Sequence, residues 1–139
     1  GHLLGNHTYS HSKSFGFFNT TKVKTELQQT IATVQKLTGK TMKLYRPAFG
    51  VTNPMIAKAV KELGVISIGW NKRSLDTTSR SKEQILKRIT PNLNKGDIVL
   101  LHDTSEKSVQ VLEQLLLFLQ EKKMQSVTAD ELLQLEAYA

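Results

Sequence analysis

Asn53-Pro54-Met55-Ile56-Ala57-Lys58-Ala59-Val60-Lys61-Glu62-Leu63-Gly64-Val65-Ile66-Ser67-Ile68-Gly69-Trp70 reads as one helix passed directly to one strand. Asn53 offers the side-chain acceptor an N-cap needs, and Pro54 suits the first turn, where an N–H would have no intrahelical partner. Ile56, Val60 and Leu63 recur on one helical face, and Gly64 supplies the left-handed stop. The run from Val65 to Trp70 is short and apolar, which predicts a buried strand.

The same step repeats on both sides. Upstream, Val23, Leu27, Ile31 and Val34 define a helix from about Lys22 to Leu37, ended by Gly39, before a short strand from Met42 to Tyr45. Downstream, Ser81 caps a helix carrying Ile85, Leu86 and Ile89, closed by Pro91, and Asp97 to His102 is a further apolar strand. A long helix follows with Val111, Leu112, Leu115, Leu116 and Leu119 on one face. A short strand near Ser126-Val127 and a helix from about Ala129 to Leu135 complete the series; Thr128 is placed as its N-cap, with Glu131 three residues on as in a capping box. Such alternation predicts an α/β fold, an open sheet or a barrel, with parallel strands joined by right-handed crossovers. In either case chemistry gathers beyond the carboxyl ends of the strands. Arg46 and His102 stand at such ends, and His7 and His11 follow Leu3-Leu4, the tail of another strand, so all four are expected at one rim.

Composition narrows the classes. A chain of 139 residues with 39% hydrophobic content is expected to form a single domain over 1–139 with its own core. Its apolar runs are far shorter than the roughly 20 residues a membrane span requires, and no signal peptide opens it. Without cysteine, disulfides and thiolate metal sites are excluded. The net charge of +7 comes from scattered Lys and Arg with no basic run or interleaved aromatics, so nucleic acid is not expected as a partner.

His7 and His11 lie four apart in Gly5-Asn6-His7-Thr8-Tyr9-Ser10-His11. On one helical turn the two imidazoles would project together, about 5–6 Å apart at Cβ, close enough to share a metal ion. Two nitrogens are not a complete site, so a third ligand, His or carboxylate, must come from elsewhere.

Three segments in order carry a resemblance: Gly1-His2-Leu3-Leu4-Gly5-Asn6-His7-Thr8-Tyr9-Ser10-His11, Arg46-Pro47-Ala48-Phe49-Gly50, and Leu100-Leu101-His102-Asp103. Together they resemble successive motifs of the polysaccharide deacetylases, the NodB homology domain of carbohydrate esterase family 4. The resemblance implies a distorted (β/α) barrel and a metal-dependent hydrolase that removes acetyl groups from N-acetylated sugars of a peptidoglycan- or chitin-type glycan. It implies His7 and His11 as ligands of a divalent metal, zinc first, with cobalt, nickel or manganese as alternatives. Thr8 would steady their loop. Arg46 would orient the carboxylate that serves as general base, and the backbone N–H near Phe49 would donate to the oxyanion. His102 would be the general acid for the departing amine, tuned by Asp76, with Leu100 and Trp70 also lining the substrate groove. The family resemblance further implies an extracytoplasmic or cell-envelope location.

The chemistry accounts for these residue types. A divalent ion polarises the amide carbonyl and acidifies bound water, metal and backbone donors stabilise the oxyanion, and the amine leaves only when protonated.

Two departures stand out. Thr77 follows Asp76 where the family pattern has tryptophan. The family's first motif, an Asp-Asp pair that supplies the general base and the third ligand, has no counterpart, so the chain is expected to be a C-terminal portion of its domain, incomplete at the N-terminus and inactive alone. A catalytically silent carbohydrate-binding relative is the alternative function. The plainer roles to weigh are a solvated His pair, Arg46 on a surface carboxylate, a structural His102-Asp103 pair, and Asp76 as a turn cap. His2 has no derivable role.

Overall fold

The computed structural model describes residues 1–139, which pack as two compact units. The first comprises Gly1–Gly69 and Leu133–Ala139, the second Trp70–Leu132.

In the first unit, α1 spans Thr20–Thr38. Asn19 caps it by accepting from the Lys22 N–H, and Gly39 ends it at φ 74. Strand β1 (Leu44–Tyr45) leads through a 3-10 turn at Ala48–Gly50 into α2 (Pro54–Leu63), capped by Asn53 and ended by Gly64 at φ 65. Strand β2 (Ile66–Ser67) then pairs parallel to β1, as the intervening helix leads one to expect. Asn6 lies along the other edge of β1: its N–H donates to Leu44 O at 2.8 Å and its carbonyl accepts from Arg46 N–H at 2.8 Å. The expected strand tail after Leu3-Leu4 is thus a single bridge, Asn6 to Tyr45. The C-terminal Tyr138 bridges Met42 antiparallel. Phe15, Val23, Leu27, Tyr45, Ala48, Ile56, Ala59 and Val65 make the core. The strand expected from Val65 to Trp70 is not buried. Only Val65 enters the core, while Ile66 and Ser67 are exposed, because β2 is the edge of a two-stranded sheet and has a partner on one side only.

In the second unit, β3 (Lys72–Arg73) pairs parallel to β4 (Val99–Leu100), with α3 (Lys82–Ile89) between them in sequence. Ser81 and Gln84 form a reciprocal capping box on α3, so two otherwise orphan N–H groups are satisfied. Helix α4 (Glu106–Glu121) starts at Ser105, whose side chain accepts from Ser108 N–H. Ile85, Ile89, Val111 and Leu115 form this unit's core. The five-residue apolar face expected on α4 is narrower than its pattern. Leu112 and Leu116 are 44% and 48% exposed and line an open cavity of about 570 Å³ with Leu93, Val99, Met124 and Leu132. No strand forms near Ser126-Val127, and α5 covers Ala129–Leu133 only. No helix of the chain is long and apolar enough to cross a membrane.

Candidate functional site

The His7–His11 segment is not a helical turn. Thr8 at φ 70 and His11 at φ 48 are left-handed, the opposite hand to an α-helix, so the two rings meet through a loop. Their centroids are 5.0 Å apart with planes tilted by 51°.

Side chains hold this loop in a conformation L-residues disfavour. Asn6 is fully buried; its Nδ2 donates to Leu27 O in α1 at 2.8 Å and its Oδ1 accepts from Thr8 N–H at 3.0 Å. Thr8 Oγ1 accepts from His11 N–H at 3.2 Å, the steadying contact expected of it. Glu26, also in α1, accepts from Tyr9 N–H at 3.1 Å and from Ser10 N–H at 2.8 Å on Oε2, and the Ser10 hydroxyl donates to Oε1 at 2.9 Å.

The 2.6 Å contact between His7 Nδ1 and the Arg46 carbonyl sets a tautomer. A carbonyl only accepts, so Nδ1 carries the proton and a neutral His7 presents its lone pair on Nε2. Arg46 thus meets the loop through its main chain. Its half-buried guanidinium has no carboxylate within ion-pair distance, which removes the plainer role of a surface salt bridge. Phe49 sits at φ 56 in the turn after Pro47, about half-exposed, with its ring 4.5 Å from that of His11. Sparsely populated backbone of this kind costs on the order of 1–3 kcal/mol and persists only where the surroundings impose it.

Two imidazoles at this separation, one with its tautomer set, suit a divalent ion as part of its donor set. No group of three or more His, Asp or Glu able to hold a metal occurs in the chain, and no two aspartates are adjacent. The third ligand that the resemblance calls for is not among these residues.

In the second unit, Asp76 is buried, 1% exposed, and each of its oxygens receives two donors. Oδ1 accepts from Ser74 Oγ at 2.8 Å and pairs with His102 Nδ1 at 2.9 Å. Oδ2 accepts from His102 N–H at 2.7 Å and from Ser108 Oγ at 2.9 Å. Burial pushes the Asp76 carboxyl up, but the His102 side chain, the His102 backbone, Ser74 and Ser108 together outweigh it and hold the group down to about 2. An ionised carboxylate only accepts, so His102 Nδ1 carries the proton and Nε2 is the outward nitrogen of a ring that stays 35% exposed. His102 therefore pairs with Asp76 and not with its neighbour Asp103, and Asp76 does more than cap a turn. Leu100 is buried in β4, and Trp70 is half-buried where the second unit begins.

Sequence reading missed Glu26, Ser74 and Ser108. Glu26 left a signal: it lies three residues after Val23 and one before Leu27, inside the apolar stripe of α1, where a carboxylate needs partners. Ser74 left only its local place two residues before Asp76, and Ser108 left none, since its role depends on bringing Asp76 and Ser108, 32 residues apart, together.

Residues 1–68 match the family described as polysaccharide deacetylase. A peptidoglycan-N-acetylglucosamine deacetylase of Bacillus cereus is 32% identical over 141 residues, covering 96% of this chain and 64% of that protein. Among solved structures, a peptidoglycan N-acetylglucosamine deacetylase superposes with TM-score 0.91 at 25% identity, over all of this chain and 66% of the other. The chitin deacetylase of Colletotrichum lindemuthianum reaches TM-score 0.89 at 22% identity, over all of this chain and 66% of that one. These likenesses show the expected fold class, the distorted (β/α) barrel type. The chain spans slightly under two thirds of the length of these three relatives.

Proposed function

Because this chain belongs to the polysaccharide deacetylase family, we propose that it carries the acid and part of the metal-holding machinery of a hydrolase that removes N-acetyl groups from amino sugars of a glycan. The observation that carries this reading is the Asp76–His102 pair, whose 2.9 Å contact leaves Nε2 of a partly exposed histidine as the nitrogen for proton transfer.

His7 and His11 would hold a divalent ion, zinc or one of its neighbours, through imidazole nitrogen. When bound, the ion polarises the acetyl carbonyl and acidifies water. Among the chain's own groups, the left-handed turn at Phe49 presents its N–H as the donor to the oxyanion, in the manner of backbone nests. His102 delivers the proton from Nε2 to the departing amine, and Asp76, held ionised, supports the positive imidazolium before the transfer. Arg46 keeps His7 in one tautomer through its carbonyl, and its guanidinium is left to orient a carboxylate general base. Leu100 and Trp70 are the apolar surfaces assigned to the acetyl group and the sugar.

The test is acetate release from N-acetylglucosamine oligomers by the complete protein that contains this chain. Release abolished by chelation and by His11→Ala supports the reading. A complete protein that binds metal and releases no acetate overturns it in favour of a silent, glycan-binding relative.

A further inference from the structure

We propose that Glu26 is the positioning residue that sets the separation of the His7 and His11 rings; its use in catalysis rests on the reading of that pair as metal ligands. Between the two histidines lie only Thr8, Tyr9 and Ser10. The Glu26 carboxylate takes both consecutive backbone N–H groups of Tyr9 and Ser10, and the Ser10 hydroxyl as well. Two residues of the same short loop, Thr8 and His11, are left-handed without being glycine. Local preference would relax that geometry, so an outside group must impose it. Asn6 and Thr8 brace the two left-handed residues, and Glu26 adds the hold on Tyr9 and Ser10 between them from α1, a helix of 19 residues whose Val23 and Leu27 are fully buried on either side of it. A carboxylate only 9% exposed on the apolar face of a helix is costly unless its lone pairs are used, and here the loop uses them. The rigid helix thereby fixes where His11 stands relative to His7, as outer-shell partners fix ligands in metal sites generally.

The experiment follows the His7 and His11 ring signals of the 139-residue chain by NMR, at a temperature where circular dichroism shows each variant folded, with Zn²⁺ as titrant. Glu26→Gln keeps an acceptor oxygen for the two N–H groups. It is expected to preserve the contact between the rings and a Zn²⁺ Kd within about threefold of the parent. Glu26→Asp keeps the charge but withdraws it by one methylene. It is expected to abolish the inter-ring contact and weaken Zn²⁺ at least about tenfold. If Glu26→Asp fails to fold, Glu26→Leu suits the apolar stripe and replaces it with the same expectations. A folded Asp or Leu variant that retains the inter-ring contact and the parent Kd overturns the inference. If neither histidine of the parent responds to Zn²⁺, the pair does not hold the ion without its third ligand. The inter-ring contact then decides the role of Glu26: kept in Gln and lost in Asp upholds it, kept in both overturns it.

Discussion

His102 meets Asp76 twice, through ring Nδ1 to Oδ1 at 2.9 Å and through backbone N–H to Oδ2 at 2.7 Å. One residue thus clamps both oxygens of a buried carboxylate, and the carboxylate in turn fixes the plane and tautomer of the ring. Ser74 and Ser108 occupy the remaining lone pairs. The pair is therefore over-determined: four donors on one buried carboxylate hold the ring in one geometry.

Asp76 should make stability pH-dependent in a defined window. Its carboxyl is held to about 2 against an ordinary 3.8, so the stabilisation, about 2 kcal/mol, is fully present above pH 4–5 and disappears as pH falls through the folded value. Urea unfolding of the chain and of Asp76→Asn should differ by about that amount near neutrality. The difference should shrink steadily below about pH 4. A gap constant from pH 6 to 2.5 would contradict the ionised assignment.

Ser108→Ala removes one of two donors to Asp76 Oδ2 while the other oxygen keeps both of its own. The expected loss is about 1–3 kcal/mol of unfolding free energy, since a buried charge loses a partner. In the complete protein, acetate release should fall in kcat with KM nearly unchanged. An equal loss confined to KM would place Ser108 outside this network's role.

His102→Gln in the complete protein should lower kcat by about 10²–10⁴, the usual range for a positioned acid, and leave Zn²⁺ binding intact. His7→Ala should instead lower Zn²⁺ affinity, as measured by calorimetry, and acetate release with it. The isolated 139-residue chain should release no acetate, because the residues present include neither a third ligand grouped with the histidines nor an adjacent pair of aspartates. Acetate release by that chain would refute this.

Leu115→Ala and Leu112→Ala separate pattern from packing on α4. Leu115 is 5% exposed in the core and should cost about 2–5 kcal/mol; Leu112 is 44% exposed and should cost under about 1 kcal/mol. Thermal or urea unfolding of the two variants gives the comparison, and equal losses would show that Leu112 is buried in solution.

What the sequence by itself determined is what local chemistry controls. Helices α2 and α3 begin where Asn53 and Ser81 say and α1 and α2 end where Gly39 and Gly64 say, because a cap acts on backbone groups within three or four residues of itself, while α1 starts at Thr20 on Asn19, two residues before the expected Lys22. The His pair, Arg46 and His102 were readable as candidates because reactive side chains in ordered motifs are written in the chain. Tertiary structure decided the rest. Burial of Ile66 and Leu112 depends on what covers each face, which a pattern of apolar residues does not specify. The spacing of His7 and His11 fits a helical turn, yet contacts from Asn6, from Thr8 and, across from α1, from Glu26 hold it as a loop with left-handed Thr8 and His11. Asp76 and His102, 26 residues apart, become a hydrogen-bonded pair only when β3 and β4 align side by side. Hydrogen bonds over such separations are set by how whole elements pack, and only the folded chain contains that information.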